Sequence, residues 1–201
     1  MSYSDFTLKK VKTEFQLDII ENEDVFSHVE ERDISEYLEI TLQQNVPLAL
    51  AINTEKARSE MIVVNVLLEI RKIFHGKISL FSGIDFNVDR EQNLNGFCDF
   101  ILSKSPEQLF LTAPVVSIVE AKNENIINGL GACIAEMVAS RIFNEREGNA
   151  VPRIYGAVTT GNTWKFLKYE GSNVYIDLTE YHIVNIKKIV GIITDMVNQQ
   201  A

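Results

Sequence analysis

Basic residues are the scarce class in this 201-residue chain: 19 lysines and arginines stand against 28 acids, for a formal net charge of −9. Coating nucleic acid through its phosphates draws on an excess of basic surface, so that description does not fit the chain as a whole. Cysteine is scarcer still. Cys98 and Cys133 are the only two, and they lack metal-ligand spacing, so a reduced pair in a cytoplasmic protein is the simple reading. His28, His75 and His182 stand far apart in sequence and suggest no metal cage; surface or capping positions suit them. Phosphate-cradling P-loops, dinucleotide-binding glycine fingerprints and nucleophile elbows are all absent, which removes three large enzyme classes. No apolar run reaches the roughly 18 residues of a membrane span. The start, Met1-Ser2-Tyr3-Ser4-Asp5, lacks the basic-then-apolar pattern of a leader. The expectation is a cytoplasmic protein with no membrane partner.

What is present is an ordinary globular composition, 46% hydrophobic and 23% charged, enough to bury a real core. No repeat, low-complexity tract or linker divides it, so the chain reads as one domain over 1–201, with an N-terminal helical extension at about 1–53. Within that extension, 6–17 and 34–44 show mixed helical periodicity around an acidic loop. Thr54 can cap a helix over 55–74, which Gly76 ends after His75. Strands follow at 77–88, 96–103 and 114–122, then a helix at 128–147. Three more strands, at 153–160, 164–169 and 173–178, are separated by the turn signals Gly161-Asn162 and Gly171-Ser172. A last helix covers 186–197. This order predicts an α/β (α+β) fold, a central mixed β-sheet flanked by helices.

The chemistry concentrates in two of those strands. Val115-Val116-Ser117-Ile118-Val119 is a buried-strand run that ends in Glu120-Ala121-Lys122. Alternation places Glu120 and Lys122 on one side, and burying two charges without partners is costly. Asp99, in Gly96-Phe97-Cys98-Asp99-Phe100-Ile101-Leu102, lies on the strand that would pair alongside. Two acids and a lysine at the ends of adjacent strands suit a divalent cation beside a charge that orients water. By chance alone, an acid two residues before a lysine arises about once or twice in such a chain, so the tripeptide gains weight only from this placement.

This constellation resembles the PD-(D/E)xK nuclease superfamily, with a restriction-endonuclease-like core. Asp99 is similar to the motif's first acid, Glu120 to its second and Lys122 to its lysine. Thr159-Thr160-Gly161-Asn162-Thr163-Trp164-Lys165-Phe166 resembles the strand pair after the core helix in the N-terminal nuclease domain of type I restriction subunits, and the likeness spans roughly 55–169. The resemblance implies a metal-dependent nuclease acting on nucleic acid, DNA first. Its cofactor would be Mg2+ or Mn2+, held by Asp99, Glu120 and the Ala121 carbonyl. Glu60, which on an ideal helix shares a face with Ala57, Val63, Val64 and Leu67, resembles the acid that the preceding helix contributes; its bland alternative is a surface glutamate near Arg58 or Arg71. Cutting both strands of a duplex would favour a homodimer. Two departures stand out. Cys98 replaces the usual proline, and the helix after Lys122 lacks the glutamine of many relatives. Glu136, the nearest polar residue there, reads as a surface position. A catalytically inactive nuclease-fold module binding a protein or nucleic-acid partner is the alternative, and a plain Glu120–Lys122 ion pair is a third reading. Arg141, Arg146 and Arg153 read either as phosphate contacts or as a solvated face. Trp164 and Phe166 read as core aromatics around an exposed Lys165, or as a base-stacking platform.

Overall fold

Runs rich in valine, isoleucine and aromatic residues pair into one eight-stranded mixed sheet in the computed structural model, which describes residues 2–199. The strands are β1 (Asp18–Ile20), β2 (Ser79–Asp85), β3 (Phe97–Ser103), β4 (Val115–Ala121), β5 (Arg153–Thr159), β6 (Thr163–Glu170), β7 (Asn173–Ile176) and β8 (Tyr181–His182). Their order is β1-β7-β6-β5-β4-β3-β2, with β8 beside the start of β6. Only β4/β5 and β1/β7 are parallel. Parallel neighbours need a long crossover, and α5 (Ile126–Arg146) supplies it between β4 and β5. Every residue of β4 is buried, as expected of a central strand covered on both faces.

Helices cover both faces. On one side α5 and α1 (Leu8–Glu14) enclose a core that includes Ile101, Ile118, Ile134 and Val158. On the other, α2 (Glu36–Ile52), α4 (Val64–Ile73) and α6 (Ile186–Asn198) enclose Phe100, Val119, Trp164 and Phe166. Trp164 and Phe166 are thus core residues. Of the described helices, α5 alone has the length and hydropathy of a membrane span, yet 72% of that stretch is buried inside the protein. A helix apolar all round belongs in such a core.

The N-terminal 53 residues differ from a helical extension. β1 adds a parallel edge strand to β7, and three residues are too few to show a period of two. α2 runs past Pro47 to Ile52 instead of stopping near residue 44, with buried Leu38, Leu42 and Ala49 anchoring it along its length. The expected helix over 55–74 is three pieces: α3 (Glu55–Arg58), a π-helical turn at Ser59–Val63, and α4. The Thr54 hydroxyl accepts from the Ala57 N–H at 3.1 Å to start it, and left-handed His75 and Gly76 end it.

Candidate metal and catalytic site

The site begins where the β3/β4 ladder stops. Phe100 and Val119 form the last backbone pair at that end. Beyond them the Ala121 N–H donates to the Asp99 side chain, Oδ2 at 2.8 Å. Asp99 thus extends the ladder with its carboxylate and leaves Oδ1 as the oxygen available to a ligand. Asp99 lies opposite Gly83 of β2, whose φ is +59°. Around this point the hairpin changes faces: Leu80 and Phe100 pack on the α4/α6 side, Ile84 and Cys98 on the α5 side. Gly83 permits that left-handed step because it carries no Cβ.

Asp99 and Ala121 line one open cleft of about 280 Å³ with Glu55, Lys56, Ser59, Glu60, Ser82 and Gly83. Two of the expected ligands therefore share a cleft. Glu120 and Lys122 are turned to the α5 side, as alternation requires, and are not among the cleft-lining residues. Their charges meet at 2.6 Å, Glu120 Oε1 accepting from Lys122 Nζ. The Lys122 stem lies against α5 where Gly129 leaves room: a Cβ on Gly129 would stand 3.0 Å from Lys122 Cγ and 2.6 Å from Val158 Cγ1.

The helix face expected of Glu60 needs correcting, not its place by the cleft. An unbroken α-helix would hold it in the apolar stripe, but the π-helical turn inserts an extra residue and rotates it outward. Its side chain is 65% exposed and pairs with Lys56 at 3.7 Å, though it still lines the cleft. Glu55, one turn earlier, was not singled out by sequence. It lines the same cleft, and its charge acts on both Glu120 and Lys122. A Thr cap followed by an acid reads as helix initiation, which hides any second role.

Glu136 is a further correction. It is buried on α5, not exposed, and its Oε2 lacks a hydrogen-bond partner. Burial first, then the charges of Glu120 and Asp99, push its carboxyl well above the usual range. Cys98 follows the same logic, raised by burial and then by Glu136. The Glu120 carboxyl is pushed up to about 7 by burial and by Asp99, with Lys122 opposing. Burial would lower the Lys122 ammonium, but Glu120 outweighs it and holds the group above its ordinary value.

The arginines of the second half are committed elsewhere. Arg141 donates to Tyr169 Oη, Glu145 and the Gly171 carbonyl; Arg146 holds Asp89 at 2.9 Å; Arg153 holds Glu170 at 2.7 Å. Each of the three is thus paired with an acid of the protein's own surface. Arg58 ties the helix to the turn after β5, donating to the Thr160 carbonyl at 3.0 Å and to Asn53 Oδ1 at 2.8 Å. Among the described residues no three of His, Cys, Asp and Glu converge as a ready-made metal cage. Fold and site define a mixed α/β protein with a carboxylate-lined cleft at the end of its central strands. No known protein-family model matches the chain, and no curated protein matches it.

Proposed function

We propose that this protein is a divalent-metal-dependent nuclease of restriction-endonuclease-like fold, hydrolysing phosphodiester bonds of nucleic acid, DNA first. One observation carries the reading: Asp99 is held by the next N–H of β4 at the rim of an open cleft, and the Glu120–Lys122 pair sits within that same strand end. The donor chemistry fits Mg2+ or Mn2+. Asp99, the Ala121 carbonyl and the carboxylates of Glu55 and Glu60 are hard oxygen donors, with no sulfur or imidazole in the cleft. Burial raises the Glu120 carboxyl most and the Asp99 charge adds to it, and a cation between the two acids would offset that second part.

Asp99 and the Ala121 carbonyl would hold the ion from the cleft, with Glu55 and Glu60 steadying its water shell, and Glu120 would become the third ligand by turning its carboxylate from the α5 side. When bound, such an ion polarises the scissile phosphate and makes bound water more acidic. Lys122 would orient the attacking water and offset negative charge on the pentacovalent transition state. Glu120 keeps the lysine charged and aimed until substrate arrives. Lys56, 82% exposed on the cleft rim, offers a phosphate contact.

A binding-only module is the second reading. It is favoured by the close pairing of Glu120 with Lys122, which makes each the other's partner. The two separate in one assay: incubation of single- and double-stranded DNA and RNA with Mg2+ or Mn2+, using wild type, Asp99→Asn and Lys122→Met. The nuclease reading expects metal-dependent cleavage by wild type alone, with each variant down at least about a hundredfold. Equal cleavage by all three would overturn the site. A binding-only module cleaves nothing, and joint replacement of Glu120 and Lys122 by Leu and Met leaves it as stable as wild type or more so.

A further inference from the structure

Glu136 is a buried acid that the proposed mechanism leaves unused. It is 1% exposed on α5, its Oε2 lacks a hydrogen-bond partner, and the Cys98 thiol adjoins its carboxyl. Leaving a buried polar atom unpaired destabilises the fold, and a partner supplied in another state of the site removes that penalty. The position of Glu136 on α5 points to Lys122. Gly129, against which the lysine stem lies, is seven residues earlier and on the same face of the helix. Helical side chains lean toward the N-terminus, which carries the Glu136 carboxyl back along that face toward Gly129. The charges of Glu120, Asp99 and Lys122 all act on it. α5 holds one other acid, Glu145, and Arg141 takes it.

Lys122 needs such an acid. Its side chain is 25% exposed, and among the described residues Glu120 is its one ion-pair partner. When Glu120 turns its carboxylate to an ion in the cleft, a mostly buried ammonium loses that partner. An uncompensated charge in that setting opposes the turn. Asp99, Glu55 and Glu60 are engaged at the ion on that reading, and Glu136 is the buried carboxyl still uncommitted on the α5 side. We propose that Glu136 is a positioning residue that accepts the Lys122 ammonium through Oε2 when Glu120 moves to the ion, so that the lysine keeps a partner in both states. A carboxyl can accept whether or not it carries a proton, and an ammonium has two further hydrogens for water and phosphate. The inference rests on the metal site proposed above.

Calorimetric titration of Mn2+ into the full chain, beside thermal melts without metal, tests it. Glu136→Leu is expected to melt at or above the wild-type temperature, because the unpaired oxygen is gone. It is nevertheless expected to bind Mn2+ about tenfold more weakly. Glu136→Gln keeps an acceptor oxygen and should bind within about twofold of wild type. In a Lys122→Met background, adding Glu136→Leu should leave the affinity where Lys122→Met sets it, since the residue acts through the lysine. Unchanged affinity in Glu136→Leu, a loss of the same size without the lysine, or a Gln variant as weak as Leu would each overturn the inference alone, provided wild type binds Mn2+ and Asp99→Asn does not. No binding by wild type would overturn the metal site itself, and the inference with it.

Discussion

Glu120 sits where burial, a neighbouring acid and a lysine compete. Burial, then the Asp99 charge, push its carboxyl up to about 7 in the folded protein, from 4.5 as its ordinary value. Across that window the folded state keeps a proton that the unfolded chain has released, so stability falls as pH rises from one value to the other. Glu120→Gln cannot titrate and lacks this slope. Urea denaturation of both proteins should show the variant gaining on wild type as pH rises through the window, with saturating Mg2+ narrowing the gap; a pH-independent difference would contradict the assignment. Asp99 makes a second residue-level case, because its carboxylate serves both the ladder and the cleft. Asp99→Ala strips the Ala121 N–H of its acceptor and should cost about 1–3 kcal/mol in denaturation. Asp99→Asn keeps a carbonyl oxygen there and should fold close to wild type while losing the rise in Tm that the proposed site predicts for the parent with Mg2+ or Mn2+.

At the scale of elements, α5 positions the lysine. Gly129 leaves the space that the Lys122 stem fills, and Gly131 admits the N-terminal segment, where a Cβ would lie 2.2 Å from the Phe6 carbonyl oxygen. Gly129→Ala should therefore cost about 1–3 kcal/mol by overpacking and lower cleavage more than stability alone explains, because the lysine must move. Thermal melts and cleavage rates measured side by side check this; unchanged rates would separate Gly129 from the site. The elements differ in how plainly they could be read. β3, β4 and the hairpins at Gly161-Asn162 and Gly171-Ser172 were legible because β-branched runs and turn residues mark them. β1 and β8, of three and two residues, carry no pattern and exist through their pairing to β7 and β6. Glu136 misled because one acid on a helix usually marks the wet face, and α5 has almost none. Glu60 lines the cleft as expected but from an exposed face, because a π-helical turn leaves no mark in residue spacing. The pairing of Glu120 with Lys122 was legible, since it needs only the period of a strand.

On the scale of the whole molecule, charge decides what the cleft can hold. The chain is acidic, and Arg141, Arg146, Arg153 and Lys168 each face an acid. Lys56 and Lys122 are the cations placed at or beside the cleft. DNA binding should therefore be weak without a divalent ion. With Ca2+ present, fluorescence anisotropy should give a slope of log K against log salt no steeper than about −2; a slope several times steeper would reveal a basic surface elsewhere. On the proposed function, the metal brings phosphate to the carboxylates. Calorimetric titration of Mn2+ into wild type and Asp99→Asn tests that claim most directly. Saturable binding to wild type, releasing protons near pH 7 as Glu120 ionises and abolished in the variant, is the predicted result. No binding to either protein, or equal binding to both, would contradict it.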